Sequence, residues 1–409
     1  MGISVSLDRL YNRVMAKNTH LEHIEDELIN TGYAGGSNAI KFLESLRDML
    51  SNTGGNNTKV TVKWDGAPAI VCGIDPKTNL FFVGTKSVFN KGQPKIGYDH
   101  DFIDFHYSDS PVKDVLHKCY DAFKDLGITG VLQGDLLYTK TPPAATMCGK
   151  VCYKFKPNTI TYCVEKNTVM GKKVGDSTFG IVFHTSYSGQ SVAEMSASFG
   201  VDVSGLQGNS KVAVFSSDFQ NVNGVANLSK SDKQNFNKQI VIAKSGITKG
   251  RNFLDLLGGK KPFEFTALFK MYFNQVVRSG KVPSSSAVML RSFVTFVTEK
   301  FDMEIAKKKT EKSQLQWDKK KQSTIKYLNN NKTAIHNAMN AFTALMTAKN
   351  IIISKLQKVK GIGTFIEDED GYRVTSPEGF VAIKDGTAMK LVDRLEFSRA
   401  NFTVAKNWG

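Results

Sequence analysis

Lys63-Trp64-Asp65-Gly66 is the stretch of this chain best equipped for chemistry. It follows the β-prone run Val60-Thr61-Val62 and precedes Ile70-Val71, with Ala67-Pro68 breaking the run between them. A lysine inside an apolar strand is unusual, because burial penalises the ammonium form and lowers its pKa. Only the neutral amine is a nucleophile, so such a position suits covalent catalysis by lysine. The plainer alternative for the same four residues is an exposed turn.

The elements that must position this lysine follow from periodicity and turn chemistry. Residues 19–51 read as two helices. Thr19 caps the first, which carries Leu21, Ile24, Leu28 and Ile29; Gly32 and Gly35-Gly36 interrupt; Ser37 caps the second, with Ile40, Leu43, Leu46 and Leu50 at helical spacing. Asn52 to Thr58 is a polar loop. From 59 to 192 the pattern changes to short strands, at 59–65, 69–74, 80–85, 130–138, 151–155, 159–165 and 179–187, with one helix around 111–126. Residues 193–235 are rich in Ser, Gly and Asn and resist assignment. Helical texture returns from about 236 to 358, and strand texture from 361 to 404. The expected class is α+β with mostly antiparallel pairing. The chain divides into an N-terminal helical segment (1–58), the first part of a β-rich core (59–192), a mainly helical insertion (193–360) and the last strands of the core (361–409).

Composition narrows the partners. Lys and Arg total 54 against 38 Asp and Glu, a net charge of +16, which favours a polyanion such as nucleic acid. Lys308, Lys309, Lys319 and Lys320 belong to two lysine runs on a long polar-faced helix expected from about residue 303. Members about 11 residues apart are roughly 16 Å apart along such a helix and return to one face. They are therefore candidates for following a phosphate backbone. A solvated helix face with partners such as Glu304 and Glu311 is the alternative. No apolar run reaches membrane-span length, and no secretory h-region opens the chain. Gly2 and Ser6 match a myristoylation pattern, but Asp8 to Arg13 reads as ordinary helix. Cys72 and Cys163 lie in apolar strands, which predicts reduced, buried thiols and a cytoplasmic protein. Cys148 and Cys152 lack the spacing and histidine partners of a zinc site.

K-x-D-G followed by a strand resembles motif I of the covalent nucleotidyltransferases, the polynucleotide ligases and capping enzymes, in which the lysine takes up a nucleoside monophosphate. Further segments resemble the family's motifs in order. Val131-Leu132-Gln133-Gly134-Asp135-Leu136 is similar to motif III, with Asp135 where the family usually has Glu. Gly180-Ile181-Val182-Phe183-His184 resembles motif IIIa, whose aromatic stacks on the purine; Phe183 is the first choice and His184 the second. Glu378-Gly379-Phe380-Val381 resembles motif IV, and Ala388-Met389-Lys390-Leu391-Val392 resembles motif V, with Val392 where a second lysine is usual. Lys384 or Arg394 could supply that missing charge. Lys86, in Gly84-Thr85-Lys86-Ser87, matches motif Ia.

The resemblance implies an antiparallel-sheet nucleotidyltransferase core, ATP-grasp-like, and ATP with Mg²⁺ as cofactors. Lys63, Asp65 and Lys390 would be catalytic. Lys63, Trp64, Gly66, Lys86, Asp135, Phe183, His184, Glu378 and Lys390 would contact the nucleotide, and Asp65 and Glu378 the metal. The run E-G-F-V-A, hairpin, apolar-Lys-apolar is most similar to phage RNA ligases. The 19 residues after Lys390 are too few for the OB domain of DNA ligases and capping enzymes. Residues 20–26 and 63–69 also resemble a group of tailed-phage proteins. The expectation is an ATP-dependent polynucleotide ligase working on RNA ahead of DNA, in the host cytoplasm if phage-encoded. The alternatives are a non-catalytic ligase-like protein binding nucleic acid or another phage component, and a nucleotidyltransferase with a protein or small-molecule acceptor.

Overall fold

The computed structural model describes residues 21–51, 58–147, 149–206, 211–217, 227–258, 263–280, 283, 285–358, 363–368, 371–374, 379–384 and 387–394. Within them the chain is α+β, with strands concentrated before residue 217 and after 363 and helices between. Three sheets organise it. A three-stranded antiparallel sheet has β1 (Thr58–Lys63), β13 (Gly379–Lys384) and β14 (Thr387–Leu391) in the order β1-β13-β14. A six-stranded sheet runs β10-β8-β4-β2-β3, from β2 (Ala69–Ile74), β3 (Phe81–Gly84), β4 (Val131–Tyr138), β8 (Phe179–Ser188) and β10 (Val212–Ser216), with β9 (Ser196–Phe199) added along β8. All its pairs are antiparallel except β10 with β8. The third, antiparallel throughout, is β12-β11-β7-β6-β5, from β5 (Ala144–Met147), β6 (Lys150–Phe155), β7 (Ile160–Glu165), β11 (Gly363–Asp368) and β12 (Gly371–Val374).

The helices begin with α1 (Asp26–Leu50), α2 (His100–Tyr107), α3 (Lys113–Phe123) and α4 (Val169–Asp176). They continue with α5 (Lys230–Lys249), α6 (Arg251–Leu254), α7 (Phe265–Ser279), α8 (Ser286–Ala306), α9 (Glu311–Asn330) and α10 (Lys332–Leu356). α1 consists of two helical segments joined across a kink at Gly32, where an interruption was expected. Only Thr31 and Gly32 leave helical geometry, and Ser37 lies inside the helix. Gly35 and Gly36 do not extend the break and stand in close packing: a Cβ on Gly36 would be 2.7 Å from Leu28 and 2.8 Å from Ile247 of α5.

Burial follows the periodicity. Val60, Phe380, Ala382, Met389 and Leu391 of the three-stranded sheet join α1, α5, α7, α8 and α10 in one core. The N-terminal helix, the helical insertion and the C-terminal strands therefore close around the same apolar interior. A second core lies between the six-stranded sheet and α2 and α3, and a third joins Trp64, Leu137, Phe155, Tyr162, Phe215 and Val392.

Two expectations are corrected here. Cys163 is bonded to Cys152 across β6 and β7, so it is not a reduced thiol; Cys72 is a buried free thiol as expected. The lysine runs do not share a helix. α8 ends at Ala306 and Thr310 caps α9 through the Ser313 amide, so Lys307, Lys308 and Lys309 form the bend of a helical hairpin. A Thr three residues ahead of Ser313 gave the chain a helix start that the charge pattern had hidden.

Candidate active site

β1 delivers Lys63 to the end of the three-stranded sheet. Lys63 is opposite Gly379, Thr61 opposite Val381, and Val381 in turn opposite Lys390. Directly opposed residues share a sheet face, and residues two apart on one strand do also. Lys63 and Lys390 therefore lie on the same face, although 327 positions separate them in the sequence. Val60, Phe380 and Leu391, on the other face, enter the helical core. Glu378 lies outside the described residues; its neighbour Gly379 is the partner of Lys63.

The six-stranded sheet meets this end of β1. The Val62 amide donates to the Ser217 carbonyl just past β10, and the Ala67 amide donates to Leu136 of β4. Gly66 lies against Asp135 so closely that a Cβ there would be 2.6 Å from the Asp135 Cβ and 2.8 Å from the Leu136 oxygen. Asp135 pairs with Ala69 and Val182, and its Oδ1 is 3.5 Å from His184 Nε2. Lys86, exposed at the start of a short 3₁₀ turn, comes two residues after Gly84, which is opposite Val71. The chain thus leaves the sheet at the end where Ala69 and Asp135 pair. Register places Lys63 with Lys390 in one sheet and Asp135 with His184 in the other, and the hydrogen bonds of Val62 and Ala67 with the close approach of Gly66 to Asp135 join the two.

Three predicted site residues do other work. Phe183 is 0% exposed and packs on Phe123 in the core behind the sheet, so the purine-platform assignment fails for it. Strand alternation sends residue 183 inward and, at a register shift opposite Gln133-Gly134, turns His184 to Asp135. Trp64 is buried against Tyr162 and Phe215, not presented to a ligand. Asp65 is 5% exposed. Its carboxylate accepts from Asn158 Nδ2 (2.8 Å), Thr159 N (2.6 Å) and Ile160 N (2.8 Å), and its own amide donates to Tyr162 Oη (2.7 Å). This carboxylate fastens the β6–β7 turn beneath Lys63. Three of its roughly four acceptor sites are used in this turn and the residue is buried, which gives it a structural role in place of the expected metal-ligand one. Among the described residues no three His, Cys, Asp or Glu side chains gather to hold a metal ion.

The cations at the second motif V position are likewise settled by packing. Val392 is buried with Trp64 in the third core. Arg394 is clamped on Asp26, Nη1 to Oδ1 at 2.9 Å and Nη2 to Oδ2 at 2.7 Å, and Lys384 bonds Ser45 Oγ. The lysines offered for nucleic acid frame the helical hairpin. Lys308 and Lys320 lie over the Trp317 ring at 4.7 and 5.1 Å, Lys308 also pairs with Glu304, and Lys309 and Lys319 are exposed.

Sequence reasoning missed a buried polar cluster beside Lys390. Residues 22 and 23 run along β14: His23 bridges Lys390, whose amide donates to the Glu22 carbonyl. Behind them Lys349 Nζ meets Glu25 Oε1 at 2.7 Å, both 0% exposed. Burial drives the His23 imidazole well below its ordinary pKa, and the positive charges of Arg394, Lys349, Lys390 and Lys63 push the same way. Burial pushes the Asp26 carboxyl up to about 6, against the pull of Arg394. A cavity of about 330 Å³ opens here between the 21–26 segment, α7 and β14, lined in part by His23, Lys270, Asn274, Lys390 and Arg394. The sequence signal was His23-Ile24-Glu25-Asp26, four residues with three ionisable side chains opening a helix whose partners lie over 300 positions away.

The fold and site define an α+β protein with a lysine-bearing sheet end flanked by acids and a buried, positively charged cluster. The chain belongs to the Family of unknown function (DUF6267), whose model matches residues 18–406. No curated protein and no solved structure matches it. No helix among the described residues is long and apolar enough to cross a membrane.

Proposed function

We propose that this protein is a covalent nucleotidyltransferase, an ATP-dependent polynucleotide ligase acting on RNA ahead of DNA in the cytoplasm. The observation that carries the proposal is the shared sheet face of Lys63 and Lys390, with Gly66 packed on Asp135 beside them. The Lys63 amine attacks the α-phosphorus of ATP. A phosphorus–nitrogen bond forms, the bond to the bridging oxygen breaks, and pyrophosphate leaves with its electron pair. Lys390 offsets negative charge at the α-phosphate, and Asp135 or His184 addresses the nucleoside. AMP then passes to a 5′-phosphate, and a 3′-hydroxyl displaces it to seal the strand. No step is assigned to Asp65, and none is routed through a metal; Mg²⁺ enters with ATP as part of the substrate.

The test is incubation with radiolabelled ATP and Mg²⁺, followed by a denaturing gel. Wild type should retain label at about one AMP per chain and Lys63→Ala none, with circular dichroism unchanged. Label persisting in Lys63→Ala would overturn the assignment.

A second reading has specific support. Val392 is buried, and both Arg394 and Lys384 are engaged elsewhere, so Lys390 lacks the second cation usual in motif V. A non-catalytic protein would keep the sheets and bind nucleotide or nucleic acid without an adduct. Nucleotide binding with no label on any residue would decide for it.

A further inference from the structure

The cavity beside His23 shares Lys390 with the proposed chemistry, and its remaining lining has no part in that chemistry. Three of the residues lining it, Lys270, Lys390 and Arg394, are cationic, against two acids, Glu22 and Asp26. Asp26 and Arg394 neutralise each other in a bidentate pair, which leaves Lys270 and Lys390 against Glu22. Glu22 stands 3.8 Å from Lys270, both partly exposed, so an incoming anion can displace that contact. His23 lines the same cavity; burial, and after it the charges of Arg394, Lys349, Lys390 and Lys63, drive its pKa well below the ordinary value and favour the neutral imidazole. A neutral imidazole presents one donor and one acceptor, and the buried Nδ1 of His23 has no hydrogen-bond partner. The Asn274 amide adds a further donor, one helical turn after Lys270 on α7. Cations, neutral donors and a concave wall in one place suit a phosphate group better than a carboxylate or an apolar ligand.

We infer that this cavity is a phosphate-binding site completed by the helical insertion, with Lys270 and Asn274 of α7 closing it over Lys390 and His23. It gives the insertion a role in the site, because Lys270, Phe273 and Asn274 of α7 form one wall of a cavity whose other walls are the 21–26 segment and β14. The phosphate has two possible sources, the pyrophosphate end of a nucleotide or the terminal phosphate of a nucleic-acid strand. The site shares Lys390 with the adenylylation proposal but does not require Lys63 to be a nucleophile.

The test uses the full chain and inorganic pyrophosphate, titrated by isothermal calorimetry into wild type, Lys270→Gln, Asn274→Ala and the double variant. Lys270 is partly exposed, so its replacement should fold, and circular dichroism checks this. The expected result is binding to wild type and a loss of about tenfold in affinity for Lys270→Gln, the size of one charge-assisted hydrogen bond. Competition then identifies the source. Pyrophosphate that displaces a 5′-phosphorylated but not a 5′-hydroxyl oligonucleotide assigns the site to the strand end; pyrophosphate that displaces only ATP assigns it to the nucleotide. No binding to wild type, or equal binding to all four proteins, would overturn the inference. Label from ATP on Lys63 is scored separately. Pyrophosphate binding without label retains the phosphate site and removes the nucleophile; label with variant-independent pyrophosphate binding does the reverse.

Discussion

Lys349→Met should destabilise the protein far more than any exposed lysine substitution. Lys349 is 0% exposed and its Nζ is 2.7 Å from Glu25 Oε1, also 0% exposed. The second oxygen, Oε2, has no hydrogen-bond partner. Removing the ammonium leaves a buried carboxylate with the Arg394 Nε at 3.8 Å. Breaking one side of a buried pair costs about 3–5 kcal/mol, and the remaining guanidinium puts the expectation near the lower limit, about 3 kcal/mol. That is more than a hundredfold in the ratio of folded to unfolded chains, at about 1.4 kcal/mol per factor of ten. The double variant Glu25→Leu/Lys349→Met removes both charges and their desolvation cost, and should return to within about 1 kcal/mol of wild type. Guanidinium unfolding followed in parallel by tryptophan fluorescence and far-UV circular dichroism measures both, with coincident curves required before a free energy is taken. A single variant within about 0.5 kcal/mol of wild type would refute the buried-pair reasoning. So would a double variant no more stable than the single.

Two further outcomes follow from the geometry around Lys63. Gly66→Ala places a Cβ 2.6 Å from Asp135 and 2.8 Å from the Leu136 carbonyl; β4 is central and cannot yield, so a loss of about 1–3 kcal/mol is expected, with loss of any ATP-derived label, and an unchanged unfolding midpoint would contradict it. His23 has a folded pKa well below the ordinary 6.5, so protons bind the unfolded chain more tightly; its contribution is present above pH 6.5 and is lost as pH falls through the folded value. Asp26, raised from 3.8 to about 6, has the opposite sign, losing its contribution as pH rises through that window. The difference between wild type and His23→Gln therefore isolates the histidine: the variant should lose less stability between pH 7 and pH 5, and parallel curves would count against a suppressed His23.

The fold class and much of the strand map were legible in the sequence because local pattern dictates them. Alternation and turn residues located β2 at 69–74, β4 and β8, and the helix expected around 111–126 is α3. The Ser, Gly and Asn of the 193–235 stretch hid β9 and β10: β9 is Ser-Ala-Ser-Phe and takes its strand character from pairing with β8, whereas Val212 to Phe215 of β10 are a short apolar run set among polar residues. The charge pattern of the two lysine runs suggests one helix, whereas the Thr310 cap between them starts a second. Glycine identity was read as interruption at 35–36, whereas the structure uses the missing side chain for helix contact.

The candidate site divides along the same line. Sequence alone placed Lys63 within a strand, expected over 59–65, and Lys390 in the C-terminal strand texture, because alternation is a local pattern; that β1 ends at Lys63 is decided by the fold. Tertiary structure alone decided that β13 lies between those strands and puts both lysines on one face. It also decided which acid holds a turn, which aromatic fills the core, and that His23, Glu25 and Asp26 find Lys349 and Arg394 across more than 300 positions. Side-chain chemistry is written at each position, but pairing register and burial depend on contacts between distant segments, and no local pattern encodes those.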